Sequence, residues 1–268
     1  MKPKFTIYTP PYTDKSAGIW LLHFLCDRLN HLGYPATLII LPQGRFINPA
    51  FRTPFAPVSC YDPDTIVIYS EIISGNPLGA DRVVRYLLFY DGALTGNLIQ
   101  WGKTDFPLSY SKIFRGDCDI LFYPVANLEL FYVDDREKEG CCFYRGKLDY
   151  NEKIPALADC LEITRSWPES KHELAEIFRN RQLLFSLDSV SATIIDAALC
   201  GCVPVLFNPV HEIGELGKFW ANDLSDTEIK TALMGMTALP EIIRDFQNSF
   251  DMRLEATVSK ISNHFGLE

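Results

Sequence analysis

Residues 183–209 read LLFSLDSVSATIIDAALCGCVPVLFNP, and their order of residue types decides the fold. The apolar run 183–186 has the length and character of a buried strand, and Val203 to Phe207 supply a second. Between them Ser189, Ser191 and Thr193 open an apolar helix that stops at Gly201. A strand, a helix and a strand in this order make one unit of a parallel sheet covered by helices. In such units the strand exits and the first helical amides lie on the carboxyl edge of the sheet, where ligands bind.

Two acids, Asp188 and Asp196, stand eight apart around that helix start. Aspartate is a mediocre helix-interior residue, and Asp196 sits between Ile195 and Ala197. Two reasons would place it there: a ligand hydroxyl such as a ribose diol, or a buried partner such as an arginine. Ser189 or Ser191 serves as the N-cap, and the same cap leaves amides free for a diphosphate.

Working outward, residues 141–144 form a strand whose exit is Arg145-Gly146-Lys147. With Gly146 as pivot both cations can lean over the sheet edge toward a phosphate, Arg as a fork and Lys as a point charge; a pair of surface cations in a turn is the other reading. Residues 161–164 make another strand, and its exit Thr164-Arg165-Ser166-Trp167 adds a cation and an aromatic ring that either holds a base or packs. Residues 170–180 are helical, and the tail from 225 to 265 is predominantly so. The charged run DDREKEG, residues 134–140, reads as a solvated turn near an interdomain crossing at 125–140.

The first half alternates in the same way. Residues 5–9 are strand-like, and 19–32 are helical, with Ile19, Leu22, His23, Leu25, Cys26, Leu29 and Leu32 at three-and-four spacing before Gly33. Strands follow at 36–41 and 65–69, then a helix at 81–85 that runs toward residues 86–90, and an apolar strand at 120–124. Asp14-Lys15-Ser16-Ala17-Gly18 bridges the first strand and its helix, and its small residues permit close approach of a ligand. The loop from Glu71 through Ser74, Gly75, Asn76 and Pro77 leaves a strand; turn chemistry alone explains Gly-Asn-Pro, while location keeps Glu71, Gly75, Asn76 and the later Asp91 among the cleft candidates.

Composition bounds the function classes. The 268 residues, 47% of them hydrophobic, suffice for two modest cores. A net charge of −9 argues against a broad nucleic-acid footprint. No segment reaches the ~18 uncharged apolar residues of a membrane span, and the N-terminus lacks a secretory signal, so a cytoplasmic protein, at most peripheral to the inner membrane face, is expected. The eight cysteines lie mostly in apolar runs and are expected as free buried thiols. There is no GxGxxG and no GxxxxGK[ST], which disfavours a dinucleotide dehydrogenase and a P-loop ATPase. Asp62-Pro63-Asp64 and Asp117-Cys118-Asp119 have the acid-x-acid form of a divalent-cation site but precede strands, at the wrong edge. The histidines 23, 31, 172, 211 and 264 show no ligand spacing and are expected as surface or half-buried residues, so no metal and no cofactor is expected.

The segments YRGKLDYN (144–151), ITRSWPESKHELAEIF (163–178) and LDSVSATIIDAALCGCVPVLF (187–207) together resemble the donor-binding domain of GT-B glycosyltransferases of the family 4, or group 1, type. Asp188 and Asp196 have the spacing of that fold's E-x7-E motif, and ALCGCVPV resembles its EAxxxGxPVV ending. YSEIISGNPLGADRVVRYLLFYDG (69–92) is similar to a segment of bacterial polysaccharide-type transferases of this fold. The resemblance implies an α/β protein of two Rossmann-like domains facing each other across a cleft, in a compact version: an acceptor domain at 1–125, a donor domain at 126–240 and a helical tail at 241–268. It implies transfer of a sugar from a nucleotide-sugar donor to a glycan, lipid-linked or other hydroxyl acceptor, without a metal. Asp196 takes the ribose role, Asp188 faces the donor sugar, and the amides of 189–191 with Arg145 and Lys147 meet the diphosphate, supported by Thr164 and Arg165. Asp14, Glu71 and Asp91 are catalytic candidates by location, with Ser16, Gly18, Gly75 and Asn76 lining the acceptor side. Both motif acids are Asp rather than Glu, one methylene shorter. A non-catalytic sugar-nucleotide or glycan-binding module is the alternative; an isomerase or epimerase is disfavoured for want of an acid-base pair.

Overall fold

The computed structural model describes residues 2–41, 47–147, 154–207 and 214–267. Both halves are α/β with wholly parallel sheets, the fold class expected from the alternation of strand and helix patterns. The chain divides into two units, Met1–Tyr123 with Asn248–Glu268, and Pro124–Gln247. Where the sequence sets residues 241–268 apart as a tail, this division gives 241–247 to the second unit and the remainder to the first.

In the first unit β1 (Phe5–Thr9), β2 (Ala36–Ile40), β3 (Ile66–Ser70), β4 (Val83–Leu87), β5 (Phe106–Ser109) and β6 (Asp119–Ile120) lie in the order β2-β1-β3-β4-β5-β6. Helix α1 (Ala17–His31) starts at Ser16, whose side chain accepts from the Ile19 amide, and buries Cys26 together with Leu21, Leu22, Leu25 and Leu29, each leucine contributing roughly 1.5–3 kcal/mol. Gly33 ends it with φ +78°, and Asn30 then pins β2 by exchanging two hydrogen bonds with the backbone of Ala36 at 2.8 and 3.1 Å.

Beyond β3 the expectations need correction. Residues 83–87 are a strand, not part of a helix; all five are buried, and Val83, Val84 and Tyr86 suit a pleated surface better than a helix. The connections β3 to β4, β4 to β5 and β5 to β6 contain no helix at all. Arg85 replaces them as organiser: its guanidinium donates to the carbonyls of Ile73, Gly75 and Gln100 and pairs with Asp105, so two loops are gathered over one face of β3 and β4. Of the strand expected at 120–124 only Ile120 lies in one, together with Asp119 in the two-residue β6, and β5, which contains Pro107, carries no readable strand signal. The far end of the chain completes this unit. Helix α5 (Phe250–His264) buries Phe250, Leu254, Val258 and Ile261, and anchors through Arg28 to Asp251, Arg253 to the Phe122 carbonyl and Lys260 to Asp119.

The second unit holds β7 (Cys141–Tyr144), β8 (Leu161–Ile163), β9 (Leu183–Ser186) and β10 (Val203–Leu206) in the order β10-β9-β7-β8. Helices α2 (Lys171–Asn180), α3 (Ala192–Leu199) and α4 (Asp226–Asn248) accompany them. A reciprocal capping box between Ser170 and Glu173 starts α2. The run 134–140 is more than a solvated turn: Lys138 donates to the carbonyls of Phe178 and Arg179 at the C-terminus of α2, and Arg136 pairs with Asp134 and Glu176. Pro204 lies on the edge strand β10, where its missing donor costs least.

Free thiols were expected throughout, yet Cys141 and Cys160 form a disulfide. Cys26, Cys142, Cys200 and Cys202 are free and buried, Cys118 is half-buried and Cys60 exposed. His23 corrects the expectation of surface or half-buried histidines, since it is fully buried on the inner side of α1. No helix among the described residues is long and apolar enough to cross a membrane.

Candidate functional site

In the second unit the strand order reverses around β7: β8 lies on one side and β9 on the other. The carboxyl edge between β7 and β9 is therefore the topological switch point, where connections diverge and leave room for a ligand. Tyr144 and Ser186, the last residues of the two strands, are level in register. Their exits are Arg145-Gly146-Lys147 and Leu187-Asp188-Ser189.

These exits touch. A Cβ placed on Gly146 would stand 2.2 Å from Asp188 Cβ and 3.0 Å from Asp188 Oδ2. Gly146 also has φ +86°, so absence of a side chain meets two demands at once, the left-handed backbone and the close approach. Asp188 is 7% exposed. Its backbone is locked by Ser186, whose Oγ donates to the Asp188 carbonyl and accepts from the Asp188 amide. Oδ1 accepts from the Val190 amide at 3.2 Å, while Oδ2 is buried with no hydrogen-bond partner among the described residues. An unpaired buried carboxylate oxygen is costly unless something supplies a donor.

Ser191 is the N-cap of α3, accepting from the Thr193 amide at 3.2 Å, and Ser189 beside it is half-buried. Arg145 donates from Nε to Glu162 Oε1 at 2.6 Å, with its guanidinium 5.0 Å from the Phe143 ring centre. Lys147 is half-buried on the same exit. Thr164 and Arg165 lie exposed beyond β8, the Thr164 hydroxyl accepting from the amides of Ser166 and Trp167.

Asp196 is 1% exposed and pairs with Lys171 Nζ at 2.6 Å. Of the two explanations for an acid in an apolar helix, the structure supplies a charged partner, a partly exposed lysine from the first turn of α2 in place of an arginine. Burial pushes the Asp196 carboxyl above its ordinary range, and Lys171 opposes that push. Lys171 Nζ donates to Asp196 Oδ2.

In the first unit the reversal falls between β1 and β3. Glu71, just past β3, is buried and accepts at Oε2 from the Leu88 amide at 2.8 Å; Gly18 packs its backbone near the Leu88 side chain. Ser16 caps α1, and Asp14 is exposed before it. Asp91 accepts from the Ile99 amide at 2.9 Å. Gly75 and Asn76 serve the loop itself: the Gly75 carbonyl accepts from Arg85, and the Asn76 side chain joins Tyr69 and Ala80.

Sequence reasoning missed two groups here. His23 Nε2 lies 3.2 Å from the Pro10 carbonyl, while among the described residues neither its Nδ1 nor the buried Ser70 hydroxyl has a hydrogen-bond partner. Burial lowers the His23 pKa, the Pro10 contact opposing. The signal for His23 was available: it falls on the apolar stripe of α1 between Leu22 and Cys26. Among the described residues no group of three or more His, Cys, Asp or Glu is placed to hold a metal ion. His211 and residues 148–151 of the resemblance lie outside the described residues.

No protein-family model and no curated protein matches the chain. Among solved structures it is similar to T4 phage β-glucosyltransferase in complex with its UDP-glucose substrate, at 11% identity and a TM-score of 0.46 over 97% of each chain. It is similar also to the DNA-modifying enzyme β-glucosyltransferase with and without uridine diphosphoglucose, at 11% identity and 0.43 over 97% of each chain. The T4 enzyme with UDP and Mn2+ matches at 12% identity and 0.42, again over 97% of each chain.

Proposed function

We propose that this protein is a glycosyltransferase that moves a sugar from a nucleotide-sugar donor to a hydroxyl of a glycan or lipid-linked acceptor. The observation that carries this reading is the junction of Gly146 with Asp188 at the switch point of the second unit, where a buried carboxylate oxygen lacks a donor. A sugar hydroxyl supplies that donor. Arg145, Lys147 and the first amides of α3, capped by Ser191 with Ser189 beside it, meet the diphosphate.

In the reaction the acceptor oxygen bonds to the anomeric carbon as the bond from that carbon to the diphosphate oxygen breaks. The leaving diphosphate gains negative charge, and fixed cations and helix amides stabilise it more than they stabilise the ground state. This assignment gives the leaving-group role to side chains and asks for no metal. Asp196 acts here through Lys171, as a positioning group between α3 and α2. Thr164 and Arg165 border the donor, and Glu71, Asp91 and Asp14 are the candidates for the carboxylate that takes the acceptor proton. One observation favours a non-catalytic binding module instead: Glu71 and Asp91 each spend a carboxylate oxygen on a loop amide.

A thermal-shift screen with UDP-, GDP-, ADP-, dTDP- and CMP-sugars tests the reading. At ~100 times Kd a true ligand adds about 2.7 kcal/mol of stability. Lys147→Ala and Asp188→Asn should abolish the shift with the fold intact. Absence of any shift, or unchanged binding in both variants, would overturn the donor site; binding without transfer or hydrolysis over an acceptor panel would select the binding module.

A further inference from the structure

The thiol inventory of the chain is uneven. Six cysteines are free and one pair is joined, Cys141 to Cys160, so the cysteines do not form a disulfide framework. The bonded pair is half-buried, within reach of a small reductant. In the same unit Cys142, Cys200 and Cys202 are buried, and burial pushes the Cys200 thiol up to about 12 and that of Cys202 well above its ordinary value. Thiol chemistry in this unit is therefore confined to one bond.

That bond sits where the sheet is weakest. β8 is three residues long and lies at the sheet edge, paired only with β7, through Cys142 with Leu161, Phe143 with Glu162 and Tyr144 with Ile163. The disulfide ties the residue before β8 to the first residue of β7. At the opposite end of the same strand pair Glu162 holds Arg145, next to the Gly146 seat on Asp188. The bond thus clamps one end of a short ladder whose other end orders the cations of the switch point.

We propose that Cys141 and Cys160 form a redox switch on the carboxyl-edge site of the second unit, open when reduced. A dithiol attacks one sulfur as thiolate, the Cys141–Cys160 bond breaks, and a mixed disulfide forms. The second thiol of the reductant resolves it. Two electrons pass to the protein sulfurs, each cysteine takes up a proton, and the dithiol leaves as its own disulfide. Without the clamp β8 frays from β7, Glu162 no longer fixes Arg145, and the exit loop loses its register over Asp188. For its effect on ligand binding this rests on the donor-site reading above; the loosening of β8 does not.

The test uses the full chain, oxidised and after treatment with dithiothreitol, followed by hydrogen exchange and by alkylation with mass analysis. Cys141 and Cys160 should resist alkylation until reduced, while Cys142, Cys200 and Cys202 stay protected in both states. Amides of residues 161–163 should exchange at least tenfold faster on reduction, with residues 5–9 unchanged, and Cys160→Ser should exchange at the fast rate in both states. Alkylation of both cysteines without reductant, or exchange at 161–163 that reduction leaves unchanged, would overturn the switch. Where a nucleotide sugar binds, its affinity should fall at least tenfold on reduction, and equal affinity in both states also overturns it. If no nucleotide binds in either state the donor-site reading fails, and the exchange at 161–163 alone decides the switch.

Discussion

Arg85 Nε and Asp105 Oδ2 meet at 2.8 Å inside the first unit, with side chains 1% and 7% exposed. Three further guanidinium hydrogen bonds go to loop carbonyls, so the pair holds together connections that contain no helix. Removing one partner strands the other as a buried charge. Arg85→Met should therefore cost about 3–5 kcal/mol, read from urea unfolding, whereas Arg82→Met, at a partly exposed neighbour, should cost well under half of that. Equal losses would mean that Arg85 does not organise the loops.

Gly146 and Gly217 separate two costs. Both have positive φ, +86° and +73°, but a Cβ at Gly217 would meet nothing within 4 Å, while at Gly146 it would collide with Asp188. Gly217→Ala should lose about 1–2 kcal/mol from backbone strain alone. Gly146→Ala should lose more than that and weaken nucleotide binding at least tenfold, because Asp188 must move. Stability and affinity that match in the two variants would contradict the close approach.

Lys171→Met leaves the Asp196 carboxylate buried without its cation and should cost about 3 kcal/mol near neutral pH, with the double variant Lys171→Met, Asp196→Leu much closer to wild type. Burial already raises the Asp196 pKa in the folded protein above the unfolded 3.8. The folded state then keeps its proton longer than the unfolded state as pH rises, so stability falls with rising pH from about that value upward. The deficit of Lys171→Met should accordingly shrink as pH is lowered toward 4. A deficit independent of pH would place the lost interaction elsewhere.

His23 has the opposite sign. Its folded pKa lies below the ordinary 6.5, so the unfolded chain takes up a proton that the folded one refuses. Stability should fall as pH drops below about 6.5, and His23→Gln should remove part of that slope in urea midpoints measured between pH 7.5 and 5.5. Identical slopes would show that the imidazole is not held neutral.

Much of the fold was legible because its signals are local. The stripe of α1, the short apolar runs of β1, β7 and β9, and the hydroxyl-rich start of α3 are each set by neighbours in sequence. β4 was misread because Arg85 breaks an apolar run, and its compensation comes from Asp105, twenty positions on. β5 was missed because Pro107 argues against a strand. The pairing of Asp196 with Lys171 joins residues 25 apart on different helices, and that of Cys141 with Cys160 joins β7 to the residue before β8; no spacing rule names either partner. The nearness of Gly146 to Asp188 follows from strand order, which the sequence pattern leaves open.

The return of α5 to the first unit sets an order of synthesis. Residues 124–247 form the second unit as one continuous insertion, and Gln247 closes it by donating to the carbonyls of Pro124 and Ala126. A growing chain can finish that inserted unit while the first, though begun earlier, still lacks the helix that buries Phe250, Leu254, Val258 and Ile261. On the ribosome the part made second is complete first, and the first unit waits for the apolar residues and the anchoring contacts of α5 until that helix has emerged.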